Sequence, residues 1–470
     1  MMRITSRILP AGPWRTGLLV ALIVVGVWSV MLCSPFISRI LGIGDSAGPF
    51  IDLYGLLAAG ELAQAHGNPF QPNPLDHYNR PHVYTTWWLV TGSLGLTRAD
   101  TAHAGAALVI LTLGSALCLI RPRRLHEATF TLAVLCSPAL LFAANRANND
   151  LAVFVLMCGA LATLRANVMA ARALAVVLLA IAAALKYFPL AALVVLLGVR
   201  SRRELLGGIG LFALVLLLAW PALSPGLESA ARYKPNPDGL YAFGAPVLFR
   251  NFGIYSSFGW LALTGVVAVA GFALARSQWP DALTTTEESI AEREFVCGAA
   301  LIVGCFFLGA TYAYKMIFAV WLLPWLWTQH DAIPAEPWRR FTMTLLLIVL
   351  WFEGLMAIVI NVVFTPLSVP AARHLLNAIL AINQVLTWSL ILALVRELLI
   401  YANRRLQVFA TREGGRVENP VAVMVDREKS QQVRRRGQAD EPQSSQSPER
   451  DLESARRSKF HGTDKGETGA

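Results

Sequence analysis

The feature that most constrains this chain is a succession of apolar blocks, many close to 20 residues long, separated by short polar stretches. That length matches the roughly 20 residues an α-helix needs to cross a bilayer. Of 470 residues, 55% are hydrophobic and 15% charged, whereas a soluble domain carries about 25% charged residues. An ordinary globular protein is excluded. The blocks predict an all-α polytopic membrane protein of about 12 transmembrane helices, within a range of roughly 10 to 13. The expected spans are 17–37, 101–120, 127–143, 151–164, 173–187, 189–199, 205–222, 257–276, 295–311, 316–328, 341–363 and 374–400. Those at 173–187 and 189–199 flank Lys186-Tyr187-Phe188-Pro189, where a proline beside a charge predicts a broken or re-entrant pair. The first block is longer than the apolar core of a signal peptide and reads as a span.

The net charge of +10 invites a nucleic-acid reading, but basic loops on one side of a membrane explain it more simply. With both termini in the cytoplasm, eighteen cations fall on the cytoplasmic side and ten on the outer side, as the positive-inside rule requires. Counting Val83–Leu96 as a span would reverse that bias for Arg121, Arg123 and Arg124. The segment, with Trp87 and Trp88, is therefore expected as an amphipathic helix at the outer surface. Two outer loops are large, 38–100 and 223–256. The membrane domain is expected over 1–410, followed by a disordered cytoplasmic tail over 411–470 that is rich in Arg, Glu, Ser and Gln. All six cysteines fall in apolar runs without a CxxC partner, which predicts packing residues rather than disulfides or a zinc site.

Three features can carry chemistry. Asp45 and Asp52 lie just beyond the first span. Either suits a general base on a hydroxyl acceptor, and either equally suits a turn or helix cap. Asn145-Arg146-Ala147-Asn148-Asn149-Asp150 is a polar cluster between two spans, where cap residues are expected and an outer-face arginine is not. Lys186, Lys315 and Arg373 are outer-face cations at span ends. Charges there are costly and mark functional cavities, and several converging cations suit a phosphate. Glu353 lies within the eleventh span without an evident partner. No Walker loop, HExxH or GxSxG motif or nucleotide fingerprint occurs in a fitting context.

These residues resemble the GT-C superfamily of integral-membrane glycosyltransferases and, within it, glycosyltransferase family 87. The resemblance rests on Asp52, Tyr54 and the small-residue run to Gly60, followed by Gly67-Asn68-Pro69-Phe70. Arg146 to Asp150, Lys186 to Pro189 and Tyr312 to Lys315 look like the family's polar breaks. It covers roughly residues 15–400. Where family members often carry a Tyr-Pro-Pro stretch, this chain has Arg80-Pro81-His82-Val83-Tyr84 followed by two threonines.

The resemblance implies an inverting hexosyltransferase on the outer face of a bacterial inner membrane. It would move mannose or another hexose from a polyprenyl-phosphate donor to a glycolipid or envelope-glycan acceptor. It favours Asp52 over Asp45 as the catalytic carboxylate and assigns Arg146, Lys186, Lys315 and Arg373 to the donor phosphate. Asn148, Asn149, Asp150, Tyr54, Arg80, His82, Tyr187 and Tyr314 would line the acceptor cavity. No metal or other cofactor is expected. The alternatives are a secondary transporter of about 12 spans and a non-catalytic membrane protein of envelope assembly.

Overall fold

The computed structural model describes residues 13–166, 168–199, 201–233, 237, 239–277, 289–327, 337–363 and 369–413. At 13–14, 363, 369–375 and 411–413 it describes the backbone alone. The expected tail beyond 413 lies outside these residues, as do the side chains of Arg373 and Lys234. Residues Met1–Phe409 group into one unit. The second, Ala410–Ala470, contributes only the end of the helix Val369–Glu413 to the description.

The regular secondary structure of the described residues is helical except for one pairing of two-residue strands, Ala242–Phe243 antiparallel to Thr311–Tyr312. Among the described residues, six helices are long and apolar enough to cross a membrane: Arg15–Cys33, Arg98–Ile120, Arg202–Tyr233, Ser257–Arg276, Pro337–Val362 and Leu376–Ala410. A seventh is available if Leu125–Leu135 and Pro138–Arg146, bent by 54°, form one span. These helices mark a multi-pass membrane protein, but among the described residues six or seven long spans are identified rather than the expected twelve.

Four expected spans are instead the shorter apolar helices Asp150–Leu164, Met169–Leu185, Phe188–Gly198 and Ala313–Trp327. At 1.5 Å per residue, a 15-residue helix reaches about 22 Å, short of the roughly 30 Å hydrocarbon core. Hydropathy cannot separate a lipid-facing helix from one enclosed by protein. Phe154, Phe318 and Trp321 are fully enclosed. Phe154 stacks on Trp321 with ring centroids 4.7 Å apart.

Broken helices leave carbonyls without partners, and in apolar surroundings each must be satisfied by the protein itself. Neighbouring side chains do this. Trp28 Nε1 donates to the Leu135 carbonyl (2.8 Å) and Trp351 Nε1 to that of Ala133 (2.7 Å), at the end preceding the Pro138 bend. Trp88 Nε1 donates to the Leu185 carbonyl at 3.1 Å. Arg293 caps Leu164 at 2.7 Å, and Arg405 caps Leu197 and Gly198 at 3.1 Å each.

Two boundaries differ from expectation. The helix expected to end near 222 continues to Tyr233 through Pro221 and Pro225, eleven residues beyond its expected end. The segment 82–85 supports it: Thr85 Oγ1 donates to the Ala222 carbonyl (3.0 Å) and Ser229 Oγ to that of His82 (2.6 Å). A Cβ on Gly226 would lie 2.1 Å from the Tyr84 carbonyl oxygen.

The surface helix expected over 83–96 is a 3-10 turn, Thr86–Leu89, and a single α turn, Val90–Ser93. It packs against the helix Ile51–Gln64 through bare backbone. A Cβ on Gly92 would meet the Gly60 carbonyl oxygen at 2.2 Å. Gly92→Ala is therefore expected to lose about 1–3 kcal/mol through overpacking, read as a lower thermal midpoint. Gly114→Ala, where no atom lies within 4 Å of the added Cβ, is expected to leave the midpoint unlowered.

Candidate functional site

Three chain interruptions meet at one place. The first follows the helix Pro138–Arg146, where Ala147 turns left-handed at φ 42°. The second follows Met169–Leu185, where Lys186 is extended before Pro189 restarts the chain as a 3-10 helix. The third is the short strand Thr311–Tyr312 leading into Ala313–Leu322. They deliver Asp150, Lys186 and Lys315 to a common centre. Lys186 Nζ lies 2.6 Å from one Asp150 oxygen and Lys315 Nζ 2.7 Å from the other. Asp150 is 1% exposed, Lys315 5% and Lys186 7%. Lys186 also donates to Asn148 Oδ1 (2.7 Å) and Asn149 Oδ1 (2.5 Å).

Asn148 continues the network, its Nδ2 donating to Asp52 Oδ2 at 2.8 Å. Asp52 sits in the first turn of Ile51–Gln64, where the helix dipole favours negative charge. Its other oxygen receives Arg80 Nη1 (3.1 Å) and Arg146 Nη2 (3.0 Å). Arg146 Nη1 reaches Asp45 at 2.7 Å, and Tyr78 donates its hydroxyl to Asp45. Arg80 is held by Asp76, with Nε and Nη2 both at 2.9 Å. Gly55 makes room for it, since a Cβ there would stand 2.6 Å from Arg80 Nη2. Asp45 and Asp52 thus share one arginine and one cavity.

That cavity has a volume of about 400 Å³ and is lined by Asp45, Asp52, Arg80, Arg146, Asn148 and a group of tyrosines. A second cavity of about 370 Å³ abuts it. Its walls are largely apolar, with Phe188, Leu227 and Leu308 beside Lys186, Lys315 and Tyr187. Val83, Tyr84 and Tyr314 line both cavities and form the wall between them. By formal charge, the lining carboxylates Asp45 and Asp52 balance Arg80 and Arg146, so the first cavity is neutral. Asp150 with its two lysines leaves one positive charge at the second.

Most expected site residues come together here, though divided between the two chambers. Asp45, Asp52, Arg80, His82, Arg146 and Asn148 face the first, Lys186, Tyr187 and Lys315 the second, and Tyr314 both. Asn149 and Asp150 are buried behind the lysines as their hydrogen-bond partners. Tyr54 stands apart, bonded to Arg98, which also forms a bidentate pair with Glu61. Glu353 lies outside the site, accepting a bond from Asn383 Nδ2 at 2.7 Å. Tyr78, Tyr84, Tyr233 and Tyr312 are lining residues that spacing did not suggest. Tyr78 is two residues from Asp76 and 33 from Asp45, so no local pattern pairs it with the latter. Among the described residues, no three His, Cys, Asp or Glu side chains are grouped to hold a metal ion.

Among the perturbed groups of the loop 38–100, three bear on the response to acid. Burial raises the Asp45 carboxyl, but bonds from Tyr78 and the Ala47 N–H and the charge of Arg146 outweigh it and hold it below the ordinary range. Asp76 is likewise raised by burial and lowered further by Arg80. Burial pushes His82 down to about 4, against a weaker upward pull from the Thr85 carbonyl. No known family model matches the chain, and no curated protein sequence matches it either.

Two outcomes follow. Asp150→Asn leaves two buried lysines unpaired and is expected to cost about 3–5 kcal/mol of stability, read as a fall in thermal midpoint. The pH dependence has a definite sign. Unfolded His82 takes up a proton near 6.5, whereas the folded one stays neutral down to about 4. Its stabilisation is complete above about pH 6.5 and is lost as pH falls toward 4. Asp45 and Asp76, depressed in the fold, add a further loss below about pH 3.9. Thermal midpoints measured from pH 8 to 4 are expected to fall below pH 6.5, and His82→Gln to flatten that part of the slope.

Proposed function

We propose that the protein is a GT-C-like membrane glycosyltransferase. It moves a hexose from a polyprenyl-phosphate donor to a glycolipid or envelope-glycan hydroxyl at the outer face of the bacterial inner membrane. The observation that carries this reading is the pair of abutting cavities of different character, one polar and neutral, the other largely apolar and cationic. A lipid phosphate needs apolar walls for its chain and cations for its headgroup, and the cavity of Lys186 and Lys315 offers both. A hydroxyl-rich sugar and acceptor need carboxylates, guanidinium groups and tyrosines, and the other offers these.

In this reading Asp52 accepts the proton of the acceptor hydroxyl as that oxygen attacks the anomeric carbon. The bond between the anomeric carbon and the phosphate oxygen breaks, and its electron pair leaves with polyprenyl phosphate. Attack opposite the departing phosphate inverts the anomeric centre. Lys186 and Lys315 stabilise the charge that develops on the phosphate. Arg146, already bonded to Asp45 and Asp52, serves mainly to hold the carboxylates in position. Three bonds on Asp52 fix the orientation in which it meets the acceptor. The tyrosine wall marks where the donor sugar would pass from one chamber to the other.

The test is release of polyprenyl phosphate by purified protein given polyprenyl-phosphate-mannose and membrane glycolipids. Asp52→Asn is expected to lower release by at least about 10²-fold with its thermal midpoint retained, whereas Asp45→Asn is expected to act more weakly. Unchanged turnover in Asp52→Asn contradicts the assignment. The enclosed Asp150–lysine cluster also supports a second reading, a secondary transporter with an intramembrane ion site. Asp150-dependent uptake of a labelled solute into proteoliposomes, without polyprenyl phosphate release, would favour it.

A further inference from the structure

A third cavity, of about 230 Å³, opens beside the first and is lined by Asn68, Phe70, Gln71, Glu228, Arg232 and Tyr233, among others. Tyr233 belongs to both cavities, and its hydroxyl donates to Gln71 Oε1 at 3.5 Å. A row of rings joins the two as well. Phe70 lies 5.6 Å from His82, and His82 lies 5.6 Å from Tyr84, centroid to centroid. Phe70 lines the outer cleft, while His82 and Tyr84 line the inner cavity.

The spatial relation of the cleft to the site is fixed by the contacts that seat the helix Arg202–Tyr233 on residues 82–85. Ser229 bonds to the His82 carbonyl, and Gly226 abuts the Tyr84 backbone.

The chemistry of the lining selects a class of ligand. Glu228 and Arg232 are opposite charges in one cleft and leave no net charge, which disfavours an anion such as a phosphate headgroup. Flat aromatic rings beside amide, carboxylate and guanidinium groups suit the face of a pyranose ring and its hydroxyls. The cleft's polar character disfavours a lipid chain.

We infer that this cleft is an acceptor subsite that holds the neutral sugar ring next to the one receiving the transferred hexose, so that the protein acts on an acceptor of at least two sugar units. The inference rests on the transferase reading and deepens it. Arg232 and Glu228 hydrogen-bond the ring hydroxyls, Phe70 packs on the ring's apolar face, and Tyr233 marks the passage between the two positions.

The experiment uses the full chain in nanodiscs free of sugar detergents, with methyl α-mannopyranoside and the corresponding methyl mannobioside as probes. Affinity is read by saturation-transfer NMR. The disaccharide is expected to bind about tenfold tighter than the monosaccharide, and that ratio is expected to fall to about 1 in Arg232→Ala and in Phe70→Ala. Glu228→Gln, which keeps the shape of the side chain, tests whether the carboxylate itself is needed and is expected to lower the ratio partway.

A ratio of about 1 in the wild-type protein overturns the subsite, as does displacement of the disaccharide by inorganic phosphate. If polyprenyl phosphate release depends on Asp52 while the ratio is 1, the subsite fails and the transferase reading stands. If the disaccharide gain is present and lost in the variants while Asp52→Asn keeps full turnover, the sugar cleft stands and the assigned chemistry fails.

Discussion

The enclosed ion cluster of Asp150, Lys186 and Lys315 is the interaction on which the rest of the structure depends. Taking a carboxylate and two ammonium groups out of water is costly, and only close pairing with further hydrogen bonds offsets it. Here one carboxylate serves two lysines at 2.6 and 2.7 Å, and Asn148 and Asn149 take the remaining donors of Lys186. Each of the three residues comes from a different interruption of helix. The cluster therefore requires those interruptions to meet. In apolar surroundings, irregular backbone is tolerated only where protein encloses it or it lines a cavity, and both conditions hold here. The tryptophan and arginine side chains that cap the broken helices complete that enclosure.

Asn148 gives the arrangement its directionality. Its amide nitrogen bonds to Asp52 and its amide oxygen to Lys186, so the carboxylate chamber and the lysine chamber are joined by one side chain with a fixed donor and a fixed acceptor. An aspartate at this position could not donate to Asp52, and a leucine could serve neither partner. The two chambers are thereby kept in register although their residues come from elements far apart in the chain.

Much of this was legible in the sequence because charge inside an apolar context is rare and stands out. Arg146, Lys186 and Lys315 were visible for that reason, as was the break at Pro189, whereas Asp45 and Asp52 stood out by their place just beyond the first span. Their pairing was not. Nothing in local spacing links Asp150 to Lys315, or Asp45 to Tyr78, since only the packing of separate helices brings them together. The span count failed for a related reason. The segments around Phe154 and Trp321 are as apolar as a lipid-facing helix, but protein surrounds them. The continuation of the helix past Pro221 and Pro225 depends on Thr85 and the His82 carbonyl of a distant loop, which bond to Ala222 and Ser229 of the helix and which no helix-ending rule could foresee. Arg80 was visible as an outer-loop charge, but its role as the bridge between Asp76 and Asp52 was not.

The central claim is that the two chambers divide a lipid-phosphate donor between them. The most direct measurement is a structure of the protein with polyprenyl phosphate bound. The account predicts phosphate density within hydrogen-bonding distance of Lys186 and Lys315, and chain density along Phe188, Leu227 and Leu308. Phosphate density beside Arg146 and Asp45, with the chamber of the two lysines empty, would contradict it.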